Sequence, residues 1–278
     1  MESVGATAMV GASAAANPSA GMVLPMPDSH LVKIHCLGRF EVFRGGEQIE
    51  YWRRSKAKTL LKYLVARHQP VPRDVLIDLL WPDGDPELAG NSLRVVLHAL
   101  RQTLGGGPNE WVVLEGNSYR LHPRSPIWVD VEEFEANYDA GRRLERGQPA
   151  IAMRHYEVAE SLYGDDYLIE DMYEEWTIAR REELKEQYLM VLGKLADHAA
   201  QQGDHEGCIM RCHKILRKDR CREDAHRRLM RSYARLGQRS QALHWYKVCE
   251  ETLMTVLELR PGEQTRLLHQ QILAGTAF

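Results

Sequence analysis

The stretch Leu93-Arg-Val-Val-Leu-His-Ala-Leu-Arg101, within the longer run from Leu88 to Leu104, decides the fold. Placed at about 100° per residue, Leu93, Val96, Leu97, Leu100 and Leu104 fall on one side of a helix, while Asn91, Arg94, His98 and Arg101 lie within about 80° of one another on another side. One side packs and the other is polar. Arginine suits guanine edges or phosphate and asparagine suits adenine edges, so the polar side is apt for base contact. The competing reading is the ordinary solvated face of an amphipathic helix.

Two shorter helical patterns precede this one. Leu60, Leu61, Leu64 and Val65 recur at helical spacing from Ser55 to Arg67, ending before Pro70. Pro72 then introduces Asp74 to Leu80, with Val75, Leu76, Leu79 and Leu80 as the expected buried side. Trp81-Pro-Asp-Gly-Asp-Pro86 breaks the chain before the third helix, and Gly105-Gly-Gly107 closes it. Beyond, Trp111-Val-Val-Leu114 and Tyr119-Arg-Leu121 flank Glu115-Gly-Asn-Ser118, which reads as a hairpin. Upstream, Leu31 to Leu37 alternates, Gly38 breaks it, and Phe40 to Phe43 followed by Gly45-Gly46 leads to Gln48-Ile-Glu-Tyr-Trp52. That pattern predicts three short antiparallel strands.

Sheet, three helices and terminal hairpin give an α+β winged helix-turn-helix with an amino-terminal antiparallel sheet, expected over residues 30–122, the third helix lying in the major groove. Arg53, Arg54, Lys56 and Lys58 precede or open the first helix, where side chains and backbone amides can meet phosphate. Asn117 and Arg120 sit at the wing, toward the DNA backbone or minor groove. Solvation alone also accounts for a basic cluster of this size.

From Asp130 the pattern is helical almost throughout, and it repeats. Gly203 and Gly237 are 34 residues apart, the length of a tetratricopeptide unit. Cys208, Cys212 and Ile215 follow the first glycine at the offsets at which Ala242, Tyr246 and Cys249 follow the second, and Ala199 and Tyr233 precede them alike. Gly147 starts an off-phase copy with Ala152, Tyr156 and Ala159. Three glycine-centred helix pairs are expected over residues 128–278, with a helical insert from Glu174 to Leu195 and a departure from strict closure over Thr252 to Pro261. An all-α tetratricopeptide-like stack presents a concave surface suited to protein contact.

Composition is consistent with this division. Residues 31–122 hold 13 basic and 10 acidic residues, whereas residues 123–278 hold 23 and 27, so a slight basic excess sits where DNA contact is expected. Residues 1–29, rich in Ala, Gly, Ser, Met and Pro, read as a disordered leader; Glu2 replaces the basic start of a signal peptide. Five cysteines in no secreted pattern indicate reduced thiols of a cytoplasmic protein. No run approaches the roughly 20 apolar residues of a membrane span.

The order of elements, with Leu76-Ile-Asp-Leu-Leu-Trp81, Leu93 to Arg101 and Ser118-Tyr-Arg-Leu121, resembles the winged helix of the antibiotic-regulatory, SARP-type activators. Trp128-Val-Asp-Val-Glu-Glu-Phe134, Arg222 to Met230 and Gly237 to Tyr246 resemble their bacterial transcriptional activator domain, and the likeness runs from Leu31 to about Leu273. It implies an activator that binds direct DNA repeats, with a possible homo-oligomer on DNA, and recruits RNA polymerase holoenzyme, cytoplasmic and nucleoid-associated when bound. By position, Arg94, His98 and Arg101 would lie on the recognition helix and Asn117 to Arg120 in the wing. The sequence departs from the family pattern at Asn117-Ser118, where glycine is usual, and before Leu259-Arg-Pro-Gly262.

His205, Cys208, Cys212, His213 and Cys221 invite a zinc reading, but Cys208 and Cys212 fall on packing positions of the repeat, where cysteine behaves as a small apolar residue. Asp165-Asp166, Glu170-Asp171 and Glu174-Glu175 read as a solvated loop and helix start. No Gly-x4-Gly-Lys-Ser/Thr loop is present and the histidines lack triad partners, so no enzyme, metal or cofactor is expected. The rival function is a non-enzymatic adaptor that binds a protein or peptide through its helical repeats.

Overall fold

The computed structural model describes residues 31–67, 69–105 and 111–275, and the expected leader over 1–29 lies outside them. The chain opens with β1 (Val32–His35), β2 (Glu41–Arg44) and β3 (Glu47–Gln48), paired antiparallel in sequence. Gly45 and Gly46 both adopt positive φ in the β2–β3 turn, as a two-residue hairpin with right-handed twist requires. The third strand is shorter than the expected Gln48–Trp52. Gln48 already pairs with Phe43 and the Ile49 amide bonds to Val42, so the chain beyond runs past the end of the four-residue β2, leaving Tyr51 79% exposed.

Next come α1 (Ser55–Ala66), β4 (Val71–Pro72), α2 (Arg73–Leu80), α3 (Pro86–Leu104), β5 (Val112–Glu115) and β6 (Ser118–Leu121). The wing forms a three-stranded sheet in the order β4-β6-β5. On α2 the buried side is Leu76, Ile77 and Leu80, with Val75 turned to solvent. Those three define an arc of about 100°, and Val75 lies well outside it.

β7 (Ile127–Val129) pairs parallel with β1, giving the first sheet the order β3-β2-β1-β7. The helical half follows as α4 (Asp130–Leu144), α5 (Pro149–Leu162), α6 (Glu175–Gln201), α7 (His205–Lys218), α8 (Glu223–Arg235), α9 (Arg239–Leu257) and α10 (Glu263–Ala274). The three expected helix pairs are α4/α5, α6/α7 and α8/α9. Gly203 and Gly237, at φ +81° and +75°, close α6 and α8 in the left-handed conformation that other residues adopt only with strain. The repeat positions Ala152, Tyr156, Ala159, Cys208, Cys212, Ile215, Ala242, Tyr246 and Cys249 are all buried. The expected insert is no separate element. With no breaker between Leu195 and Ala199, it runs on as one 27-residue helix, α6.

The two halves share an apolar core running from Val32 through α1, α3 and α4 to Leu229. At their joint the buried Asp130 carboxylate accepts from the Cys36 amide at 2.9 and 2.8 Å and from the Leu37 amide at 2.9 Å. Lys62, buried on α1, donates to Asp171 in the 3-10 turn Ile169–Asp171. Arg181 on α6 donates to the carbonyls of Tyr167, Leu168 and Asp171, tying that turn down.

Candidate nucleic-acid interface

α3 is anchored by Leu93, Val96, Leu97, Leu100 and Leu104, all buried. Trp111 packs below its end and donates its indole N–H to the Gly105 carbonyl. With that side fixed, Asn91, Arg94 and His98 share the open side with Val95 and Gln102, all exposed. Gln102 Nε2 lies 2.8 Å from His98 Nε2. Val95 and Gln102 escape a search for basic residues, although their phase along the helix placed them there.

Arg101 is not brought to this open side. It is half-buried and donates from Nη2 to the Val112 carbonyl at 2.8 Å, and burial lowers its pKa. Its position, three residues past His98, lies at the margin of the polar arc, where β5 already approaches. It therefore clamps α3 to the wing.

The basic cluster divides in the same way. Arg53 and Arg54 are exposed and form no ion pair among the described residues. Lys56 donates to the Leu80 carbonyl and lies 4.5 Å from the centre of the Trp81 ring, while Lys58 pairs with Glu170 at 3.2 Å. Arg54, the residue before α1, gives it no side-chain cap, so the first amides of the helix lack a side-chain acceptor. A 380 Å³ cleft between this start and α3 is lined by Arg54, Ser55, Lys56, Trp81, Ser92 and Val95. Ser55 and Ser92 carry no sequence signal of their own and are found only by this juxtaposition.

At the wing, Gly116, with φ +61°, and Asn117 form the tip between β5 and β6. The Asn117 side chain is exposed, and the backbone carbonyl of Asn117 accepts from the Arg73 amide at 2.9 Å. Arg120 pairs with Glu115 across the hairpin at 2.6 Å.

Residues 129–273, just over half of the sequence, match the family model described as bacterial transcriptional activator domain. The chain belongs to that family. The antibiotic-regulatory type of activator expected from the sequence is thereby supported, as is the helical-repeat half. For the activator as a whole, the solved structure of Mycobacterium tuberculosis EmbR in complex with a low-affinity phosphopeptide is similar, with a TM-score of 0.74 at 24% identity, covering 89% of this chain and 66% of EmbR. The two-part fold, winged helix then helical repeat, is shared with that protein, although this chain spans slightly less than two thirds of EmbR's length. The C-terminal TPR-containing domain of a Plasmodium falciparum FK506-binding protein matches at 15% identity with a TM-score of 0.39, over 52% of this chain and 89% of its own, too low to carry argument. No curated protein sequence matches the chain significantly. Among the described residues, no helix is long and apolar enough to cross a membrane.

Proposed function

We propose that this activator binds duplex DNA by laying α3 in the major groove, with Asn91, Arg94 and His98 toward the base edges. Arg53, Arg54 and the uncapped start of α1 then hold phosphate, and Asn117 at the wing tip approaches the backbone. The observation that carries this reading is the sorting of side chains. Those on the open side of α3 form no ion pair among the described residues, whereas the similar residues Lys56, Lys58, Arg101 and Arg120 are already bonded within the protein. A bonded side chain must give up its partner before it can contact DNA, so these four position the surface.

On this reading residues 30–122 form the DNA-binding unit, residues 128–278 the activating unit and residues 1–29 a leader. The helical repeat contacts RNA polymerase holoenzyme. Two copies on direct repeats about one helical turn apart would present their repeats on one DNA face. The protein works in the cytoplasm, at the nucleoid when bound to DNA, by contact and without chemistry of its own.

Duplex binding by the full chain, measured by anisotropy after selection of a preferred sequence, tests the assignment. Affinity should fall steeply with salt, and Arg94→Ala should relax preference at one base position by about 1–3 kcal/mol. Unchanged sequence preference in Arg94→Ala would show that α3 does not read bases. Recruitment is tested by purified transcription with the full chain, because truncation after residue 122 would strip β7 from β1 and remove Asp130 from the Cys36 and Leu37 amides. A transcript level indifferent to the protein on its own site would remove the polymerase contact.

A further inference from the structure

The helical half carries a cleft that the DNA-reading surface does not use. It measures 660 Å³ and lies between α7, the turn into α8, and α9, within the usual size range of small-molecule sites. Met210, Leu216 and Val248 give it apolar walls. Trp245 stands among them, its ring centre 5.1 Å from that of His213 and 6.0 Å from that of His226. An aromatic wall of this kind suits a flat apolar body.

His226 is 2% exposed. Its Nε2 lies 3.0 Å from the Arg220 carbonyl, which only accepts, so Nε2 carries the proton and Nδ1 is left as an acceptor. That Nδ1 is buried without a hydrogen-bond partner among the described residues. Burial lowers the pKa of both His226 and His213, keeping the two rings neutral at pH 7. A buried acceptor left unbonded is unfavourable.

The cations nearby sort sharply. Along α7 and the start of α8, Arg211 and Lys214 pair with Glu160 at 3.1 and 2.6 Å, Lys218 with Asp166 at 3.0 Å and Arg222 with Glu186 at 3.0 Å. Arg217 and Arg220 are the exceptions in this segment. Both line the cleft, both are exposed, and neither forms an ion pair with a carboxylate among the described residues. Among the described residues, no carboxylate lines the cleft.

We propose that this cleft binds a small organic anion with a flat apolar body. The body lies on Trp245, and the anion meets Arg217 and Arg220. The test titrates the full chain with anionic 8-anilinonaphthalene-1-sulfonate and with neutral N-phenyl-1-naphthylamine, following probe fluorescence. The anionic probe should fill one saturable site per chain. The double variant Arg217→Gln/Arg220→Gln should weaken it about tenfold, leaving the neutral probe and the thermal midpoint unmoved because both arginines are exposed. Met210→Glu, an exposed position that would bring a carboxylate to the wall, should weaken the anionic probe similarly. Unchanged anionic affinity in both variants overturns the proposal. So does displacement of the probe by an acidic decapeptide at lower concentration than by 2-naphthoate, which would assign the cleft to a peptide.

Discussion

The joint between the two halves and the open side of α3 are both polar, yet they use polar groups in opposite ways. At the joint, Asp130, Lys62 and Arg181 are withdrawn from water and bonded to backbone or to opposite charge. On α3, Asn91, Arg94 and His98 face solvent. A buried group that loses its partner incurs its full desolvation penalty, whereas an exposed one gives up little. Substitution at the joint should therefore change folding without touching specificity, and substitution on α3 should do the reverse. Net charge alone is blind to this difference, since it counts Lys62 and Arg94 alike.

The comparison breaks most visibly at Asp130. Asp130→Ala would orphan the buried amides of Cys36 and Leu37 and should destabilise the chain by about 3 kcal/mol, read from the urea midpoint. Asp130→Asn keeps one acceptor oxygen and should lose less. A loss in Asp130→Ala no larger than that of a surface substitution would mean the joint does not hold the halves together. Lys62→Ala comes next, at about 2 kcal/mol, because the Asp171 carboxylate it leaves behind is partly exposed. Lys62→Ala/Asp171→Ala should recover part of that loss, and strict additivity would argue against a direct pair. Arg94→Ala is the converse control, with stability unchanged to within about 0.5 kcal/mol while DNA preference relaxes.

Titration separates the regions further. In the helical half, the hydrogen bond from Lys218 holds the Asp165 carboxyl below its ordinary range. For Asp224, burial pushes the pKa up, but Arg228 and Arg222 more than offset it and the net shift is downward. A folded-state pKa below the unfolded value means the stabilisation is present in full above about pH 4 and is lost as pH falls through the folded value. Urea midpoints measured down the pH scale should hold until about pH 4 and then decline, and Asp224→Asn should flatten part of that decline. An unaltered acid limb in Asp224→Asn would show that the Arg228 pair is not its source.

Much of this was legible beforehand, and the omissions have physical causes. The buried side of α3 and the repeat positions follow from helical period alone, because one helix phase fixes every residue on it. The parallel strand β7 was hidden, since Ile127-Trp-Val129 finds its partner about 95 residues upstream and carries no turn signal linking it to β1. Periodicity puts Arg101 with the polar residues of α3 because it gives an angle around the helix but not the nearness of β5. The paired state of Lys58 was equally invisible, its carboxylate lying 112 residues away.

Lys58 gives the finest test, because it sits on α1 close to Arg54 but is bonded to Glu170 across the joint. Its pair is 30% and 39% exposed, so Lys58→Gln should alter stability by only about 0.5 kcal/mol. If unbonded cations supply the phosphate contacts, Arg54→Gln should make the logarithmic salt dependence of DNA binding shallower by about one, and Lys58→Gln should leave it unchanged. Equal changes in the two slopes would mean that Lys58 abandons Glu170 when DNA arrives. The joint and the reading surface would then be coupled through that one side chain, and DNA binding would loosen the helical half that the joint otherwise holds fixed.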